Sequence, residues 1–367
     1  MSRIFINGKF TAQRTTGVQR LALGLVEALD NALATHGTPD QWVLLCPQGA
    51  RPPALRCISV QTCGPRRFGL HFWEQLVLPW ASRHGRLLNL SGPAPLAKRG
   101  QVCMVPDAAV FDQPAAYTKA FGTWYRFLFR RMATSAALLL TISRFSQSRL
   151  VQRLGIAPDR MKVVPCAATH MQSIVQDDAA LQRLDLAGAR YLLAVGSANP
   201  TKNLSALIEA FARLPHPDLR LVLVGGTNTA VFAGGAAPHE DARIVRTGPV
   251  SDGQLKSLYA NALAFVFPSL YEGFGLPPLE AMSLGCPVVA SNAASVPEVC
   301  GDAALYFDPS SVAEMATAMT RVVDDAGLRG DLSRRGTQRF ATFTWEAAAQ
   351  LLLRHLEHAG LAGRSHA

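Results

Sequence analysis

Short apolar runs rich in Val, Ile and Leu alternate along most of the chain with segments whose apolar positions recur every three or four residues. A strand buried on both faces reads as a continuous apolar run and a packed helix as a stripe of period 3.6. The alternation therefore predicts parallel sheets built from strand-helix-strand units. In the first half the pattern predicts strands at Ile4–Asn7, Trp42–Cys46, Leu87–Leu90, Gln101–Val105, Ala137–Ile142 and Lys162–Val164. Helices are predicted between them, near Val18–Leu33, Leu70–Ala81, Thr118–Ala133 and Ser143–Leu154. After a polar, acidic stretch at Gln172–Arg190 the same grammar restarts. Its strands are Tyr191–Val195, Arg220–Val224, Ile244–Arg246, Ala264–Phe267, Pro287–Ala290 and Ala304–Phe307, and its helices Leu204–Leu214, Ser251–Asn261, Pro278–Leu284, Val296–Val299 and Ser311–Asp324. The expected fold class is α/β, with two doubly wound domains facing a central cleft. The expected division is 1–175, 176–344, and a C-terminal helix within 345–367 that packs back toward the first domain, its end frayed.

Composition supports that architecture. The 367 residues are 49% apolar, enough for two sizeable cores. No apolar run approaches the ~20 residues that span a bilayer. The chain opens on a strand rather than a basic and apolar leader, so a cytoplasmic location is expected. Seven cysteines form no C-x-x-C pair, which argues against a disulfide framework or zinc site and for buried thiols. Charge is divided unevenly: residues 1–180 hold 21 Lys/Arg against 9 Asp/Glu, and the remainder 15 against 17. The basic half suits an anionic partner such as a membrane surface or a phosphorylated acceptor. Nucleic acid is not expected, because no nucleic-acid-binding signature accompanies the charge.

The densest chemistry lies in Pro268-Ser269-Leu270-Tyr271-Glu272-Gly273-Phe274-Gly275-Leu276-Pro277-Pro278-Leu279-Glu280-Ala281-Met282. The strand Ala264–Phe267 runs into a glycine-containing turn, and a helix is expected to begin near Pro277. Glu272 then lies on the turn and Glu280 in the helix's first turn. Gly273 and Gly275 let backbone N–H groups approach a ligand, and the helix N-terminus favours phosphate. A carboxylate beside phosphate would repel it, so Glu280 is expected to accept hydrogen bonds from neutral hydroxyls such as those of a ribose, or else to complement the helix dipole. Glu272 either reaches a second polyhydroxyl group or is a solvated loop acid.

Three further sites carry candidate chemistry. In Gly196-Ser197-Ala198-Asn199-Pro200-Thr201-Lys202-Asn203-Leu204, Lys202 lies in a strand-to-helix loop, where a cation is disfavoured by the helix dipole unless it serves a pyrophosphate. In Arg14-Thr15-Thr16-Gly17-Val18-Gln19-Arg20, Gly17 allows close backbone approach and Arg20 reaches phosphate, or the segment is a solvated loop. Asp107 lies just beyond a strand end, where it faces a cleft or caps a turn.

The string Pro268-Ser269-x-x-Glu272-Gly273-Phe274-Gly275-Leu276-Pro277-x-x-Glu280-Ala281-Met282-x-x-Gly285-x-Pro287-Val288-Val289 resembles the signature of the retaining glycosyltransferases of the GT-B fold. These have two Rossmann-like domains, and the family in question, family 4, includes sucrose synthases and bacterial mannosyltransferases. The resemblance continues through Lys202-Asn203-Leu204, Gly225-Gly226, Thr247-Gly248-x-Val250, Leu258-Tyr259, Pro297-Glu298-Val299 and Phe307-Asp308-Pro309. It is looser in the first half, through Thr16-Gly17-Val18-Gln19-Arg20, Trp73-Glu74-Gln75, Asp107 and Ser143-x-x-Ser146, which resemble polysaccharide and O-antigen members.

That resemblance implies a metal-independent retaining hexosyltransferase without a cofactor. It would move mannose or a deoxyhexose from a nucleotide-diphosphate sugar, GDP-mannose among them, to a glycan or lipid-linked glycan in cell-surface polysaccharide synthesis. It assigns Glu272, Lys202 and Asp107 to catalysis. Donor binding falls to Gly17, Gly196, Lys202, Val250, Glu272, Gly273, Phe274, Gly275, Leu276 and Glu280, and the acceptor side to Arg20 and Asp107. Pro106, Ser197, Thr201 and the Cys166-Ala167 pair depart from the family's common pattern. A noncatalytic nucleotide-sugar-binding partner and a nucleotide-sugar epimerase remain alternatives. The interleaved bases and aromatics of 66–73 and 121–131 read either as packed helices with a basic edge or as a contact for an anionic leaflet.

Overall fold

The computed structural model describes residues 2–65, 69–197, 199–225 and 241–363. Arg66, Arg67, Phe68, Ala198, Gly226 and the last residues of the expected frayed end lie outside these. The chain divides into two compact units, Met1–Ala167 with Thr344–Ala367, and Ala168–Phe343. The polar stretch 172–190 belongs to the second unit. It carries the short helices His170–Ser173 and Ala179–Arg183, and Lys256 Nζ ties it down by donating to the Ile174 carbonyl at 2.7 Å.

The first unit is built on a seven-stranded sheet of β1 (Arg3–Asn7), β2 (Gln41–Cys46), β3 (Ser59–Thr62), β4 (Arg86–Asn89), β5 (Val102–Met104), β6 (Leu138–Thr141) and β7 (Met161–Val163). Its order is β3-β2-β1-β4-β5-β6-β7 and every pairing is parallel. The second unit holds a six-stranded parallel sheet of β8 (Tyr191–Val195), β9 (Arg220–Val224), β10 (Ile244–Gly248), β11 (Ala264–Phe267), β12 (Val288–Ser291) and β13 (Ala304–Phe307). Its order is β10-β9-β8-β11-β12-β13. Strand order reverses between β1 and β4 in one sheet and between β8 and β11 in the other. Loops leaving the carboxyl ends of strands at such a switch point diverge to opposite faces and open a crevice.

The apolar runs in the middle of each sheet are buried on both faces. β11 and β12 are buried along their whole length. Leu207 and Phe211 of the Leu204–Ala212 helix, with Met315, Met319 and Val322 of the Val312–Asp324 helix, close the core around Leu192, Leu221 and Val266. Burying each such side chain is worth roughly 1.5–3 kcal/mol.

Three elements differ from expectation. β3 has no apolar signal because Ser59–Thr62 is exposed along its length at the sheet edge. The Ala326–Phe340 helix escaped notice because its sequence is polar and contains Gly327, Gly330 and Gly336. The 70–81 helix forms, but it widens into a π-helical stretch at Trp73–Val77. Pro79 explains the widening, since it lacks an N–H and its ring would clash with the Gln75 carbonyl in a regular α-helix. Thiol burial holds for Cys46, Cys103, Cys166, Cys286 and Cys300, whereas Cys57 is exposed and Cys63 half-buried. Burial pushes the Cys286 and Cys300 thiols up to about 12.

The last helix, Trp345–His358, is capped by Thr344, whose hydroxyl accepts from the Ala347 N–H at 3.1 Å. It packs on the Gly17–His36 helix, and the Trp345 ring lies over Gly24. A Cβ at Gly24 would sit 2.3 Å from the Trp345 Cε2 atom. Gly24→Leu should therefore displace the indole and lower unfolding free energy by about 1–3 kcal/mol. A chemical-denaturation midpoint unchanged in that variant would show that the contact does not hold the helix.

Candidate functional site

Lys202 and Glu272 meet across the switch point of the second sheet. The loop after β8 turns at Asn199, whose side chain accepts from the Thr201 N–H at 3.0 Å and starts the 3-10 turn Pro200–Lys202. Asn203 follows in the left-handed region at φ 55°, a conformation that asparagine tolerates better than most residues. Its carboxamide donates to the carbonyls of Pro268 at 3.2 Å and Pro309 at 2.8 Å. The Leu270 N–H donates to the Thr201 carbonyl at 2.8 Å. These bonds fasten the β8 loop to the β11 loop and bring Lys202 Nζ to 2.6 Å from Glu272 Oε1. Both side chains are partly open to solvent, and a Cβ on Gly196 would already touch the Lys202 Cβ at 3.4 Å.

The turn carrying Glu272 is held from below by Ser295. This buried hydroxyl lies 2.9 Å from the Glu272 carbonyl and 2.8 Å from that of Phe274, and the two acceptors share its single proton. Ser291, equally buried, donates to the Ser269 carbonyl at 2.7 Å. Phe274 packs edge-on against Phe343 at 5.6 Å. Gly275 caps the Leu276–Ser283 helix with φ 109°, a conformation costly for any residue with a Cβ. Pro277 and Pro278 follow and carry no N–H. Backbone donors at this helix start are therefore those of 274–276, one step earlier in the chain than a helix first turn alone would supply.

Glu280 occupies a different cluster. The helix opens at Leu276 and has no acid in its first turn, so Glu280, its fifth residue, lies just past the turn in which it was expected. Only 6% exposed, its carboxylate meets His170 Nε2 at 3.1 Å and accepts from the Tyr259 hydroxyl at 3.4 Å. A carboxylate accepts about four hydrogen bonds, so two acceptor positions remain. His170 was not identified from sequence: it lies 110 positions away with no local motif. Val250, half-buried, stands between β10 and Ser251, which caps the Asp252–Asn261 helix.

Gly17, Arg20 and Asp107 belong to the first unit. Gly17 opens the Gly17–His36 helix behind Thr16, whose N–H is bonded by Gln19 Oε1 at 3.2 Å. The Arg20 N–H donates to the Thr16 carbonyl at 2.9 Å. Asp107 accepts from the Ala109 N–H at 2.8 Å, so it does cap the turn after β5. Sequence reasoning missed what lies at this sheet's switch point. Asn7 ends β1 and Asn89 ends β4; the Asn7 amide donates to Asn89 at 3.1 Å and to Glu74 at 3.2 Å. Glu74, on the π-helical stretch, pairs with Lys9 at 2.7 Å, and both side chains are buried. A groove of about 940 Å³ lined by Arg3, Asp40, Gln41 and Arg86 lies at the opposite edge, where β1, β2 and β4 begin, away from all of these groups.

The family model described as "Glycosyl transferases group 1" matches residues 179–339. The O-antigen chain mannosyltransferase B of Escherichia coli is 32% identical over 279 residues, which cover 73% of this chain and 73% of that protein. Among solved structures, sucrose-phosphate synthase from Thermosynechococcus elongatus superposes with a TM-score of 0.73 at 19% identity, over 98% of this chain and 100% of its own. The Anabaena protein HepE, in complex with UDP and glucose, does so with a TM-score of 0.67 at 17% identity, over 97% of this chain and 99% of its own. At those identities the two structures establish the fold, that of the GT-B glycosyltransferases.

Ser295→Ala should strand two buried carbonyls beneath the Glu272 turn at a cost of about 1–3 kcal/mol. Thermal denaturation should report the loss, accompanied by weaker nucleotide-sugar binding in titration calorimetry. Unchanged stability and affinity would remove Ser295 as the support of the turn.

Proposed function

This chain belongs to the group 1 glycosyl transferases, and from that membership we propose that it is a retaining mannosyltransferase. Its donor is GDP-mannose, and its acceptor is a hydroxyl of a growing cell-surface glycan, presented as a lipid-linked chain. The observation that carries this reading is the Lys202–Glu272 pair at the switch point, 2.6 Å apart beside the turn that opens the Leu276–Ser283 helix.

The geometry supports a division of roles. An ammonium has three donors. One is engaged by Glu272, and two serve the donor diphosphate together with the N–H groups of 274–276. Glu272 keeps Oε2 for a hydroxyl of the transferred sugar, and its negative charge lies where positive charge develops on the ring. Glu280 uses its remaining acceptor positions for the ribose, with His170 and Tyr259 fixing the carboxylate. Gly196 lets the β8 loop pass close to the diphosphate, and Val250 borders the base. Gly17 is assigned to phosphate, and Arg20 and Asp107 to the acceptor, on the strength of the motif resemblance.

In the transfer step the bond between the anomeric carbon and the phosphate oxygen breaks, and its electron pair leaves with GDP. The acceptor hydroxyl oxygen bonds to the same carbon from the same face and gives its proton to the departing phosphate. Lys202 and the backbone dipoles stabilise the charge gathering on that phosphate, a contribution that requires no metal. The reaction is placed on the cytoplasmic side, where the nucleotide sugar would be supplied. Among the described residues no helix is long and apolar enough to cross a membrane.

Lys202→Ala and Glu272→Ala should each lower kcat/KM for GDP-mannose by about 10²–10³-fold with the fold intact. The check is turnover against a panel of nucleotide sugars, with the anomeric configuration of the product read by NMR. Full activity in either variant, or an inverted product, would overturn the assignment. Thermal stabilisation by donor without any turnover would identify a noncatalytic binding protein instead.

A further inference from the structure

Two helices of the first unit turn rows of large apolar side chains outward. Nine large apolar side chains are exposed among the described residues, and six of them are Phe72, Leu76, Trp80, Phe121, Trp124 and Phe127. Isolated exposed apolar residues are ordinary, but rows of them mark interaction surfaces. On the 70–81 helix, Trp73, Glu74 and Leu78 face inward and are buried. Phe72, Leu76 and Trp80 are 48%, 56% and 67% exposed. A step of four residues advances a regular α-helix by about 40° beyond a full turn. The π-helical stretch takes more residues per turn, which offsets that advance and keeps the three side chains in one row.

The Lys119–Ser135 helix does the same. Leu128, Phe129 and Met132 are buried, while Phe121, Trp124 and Phe127 are exposed. Phe121 stacks on Tyr125 at 4.1 Å and Trp124 on Phe127 at 5.8 Å, so the outward aromatics are braced against each other. Both helices reach the same segment: the Gln75 amide donates to the Ala94 carbonyl at 3.3 Å, and Ala94 packs in the core cluster that holds Phe129 and Met132.

The charge around these rows has one sign. Residues 113–135 contain no Asp or Glu, and the one acid of 69–84 is Glu74, buried against Lys9. His71, Arg83, Lys119, Arg130 and Arg131 are exposed, and the Arg83 guanidinium lies 4.2 Å over the Trp80 ring. A second copy of the chain laid against this face would set like charges together, which disfavours self-association. Aromatic and leucine side chains ringed by Arg and Lys match the boundary between lipid headgroups and acyl chains.

We propose that the 70–81 and Lys119–Ser135 helices form a docking surface for an anionic lipid bilayer, with Phe72, Leu76, Trp80, Phe121, Trp124 and Phe127 entering the headgroup boundary. The inference rests on the lipid-linked-acceptor reading only for its purpose, and its test is independent of glycosyl transfer. The full chain should float with vesicles of phosphatidylglycerol and phosphatidylcholine in a salt-sensitive manner, and should not float with phosphatidylcholine alone. Trp42, Trp73 and Trp345 are buried, so a blue shift of tryptophan emission on binding reports Trp80 and Trp124. The double variant Leu76→Ser, Trp80→Ser should lose at least about tenfold in vesicle binding. Arg130→Gln and Arg131→Gln should lose about fivefold each, and none of these substitutions should alter turnover of donor with a water-soluble acceptor. Absence of flotation in the wild type, equal binding to neutral vesicles, or vesicle affinity unchanged in the variants would each overturn the surface. So would self-association of the wild type that the double variant abolishes. Flotation without glycosyl transfer would leave the surface standing and overturn the proposed function alone.

Discussion

The candidate site of the second unit centres on one ion pair, Lys202 with Glu272 at 2.6 Å, which the packing of two loops holds in place. It joins the loop leaving β8 to the loop leaving β11, the two strands between which the sheet reverses its order. Unsupported, such a partly exposed pair contributes little to stability, about 0–1 kcal/mol. Its geometry is instead imposed by neutral bonds around it: Asn203 to the Pro268 and Pro309 carbonyls, Leu270 to Thr201, and Ser295 beneath the Glu272 turn. Cation and carboxylate are thus held at fixed positions before any ligand arrives, as a site that must organise a diphosphate and a sugar at once requires.

The same construction recurs in the first unit with the opposite solvent exposure. There the switch point between β1 and β4 is filled by Asn7, Asn89, Lys9 and Glu74, all buried. A buried ion pair is costly to break and fixes geometry more than it adds stability. It anchors the start of the segment leading to Gly17, while the outer face of the helix that carries Glu74 presents Phe72, Leu76 and Trp80 to solvent. One helix therefore ties the sheet's carboxyl edge to the apolar row outside.

Legibility in the sequence followed burial. Tyr191–Val195, Arg220–Val224, Ala264–Phe267 and Ala304–Phe307 were readable to the residue because each is a short run dominated by apolar residues, as buried parallel strands require. Ser59–Thr62 carries no such constraint and was invisible, and the Ala326–Phe340 helix was hidden by its glycines and charges. Within the site, Glu272 and Lys202 were legible because each sits in a dense local motif. Their direct contact was not, since it joins positions 70 apart. Glu280 was assigned a hydroxyl ligand without sign of His170, and it falls just past the expected first turn because the helix opens at Leu276 behind Gly275 rather than near Pro277. Asp107 left a cap and a cleft residue equally open; one of its carboxylate oxygens does cap the turn after β5.

The roles of the two central side chains separate most directly in their affinities for GDP and for GDP-mannose, measured by calorimetry on Lys202→Met and Glu272→Gln. Lys202→Met should weaken both ligands alike, because both carry the diphosphate. Glu272→Gln should weaken GDP-mannose while leaving GDP binding unchanged or tighter, since Lys202 is then released from its partner. If Glu272→Gln instead weakened GDP as much as GDP-mannose, the carboxylate would not be facing the sugar, and the account of the site would be wrong.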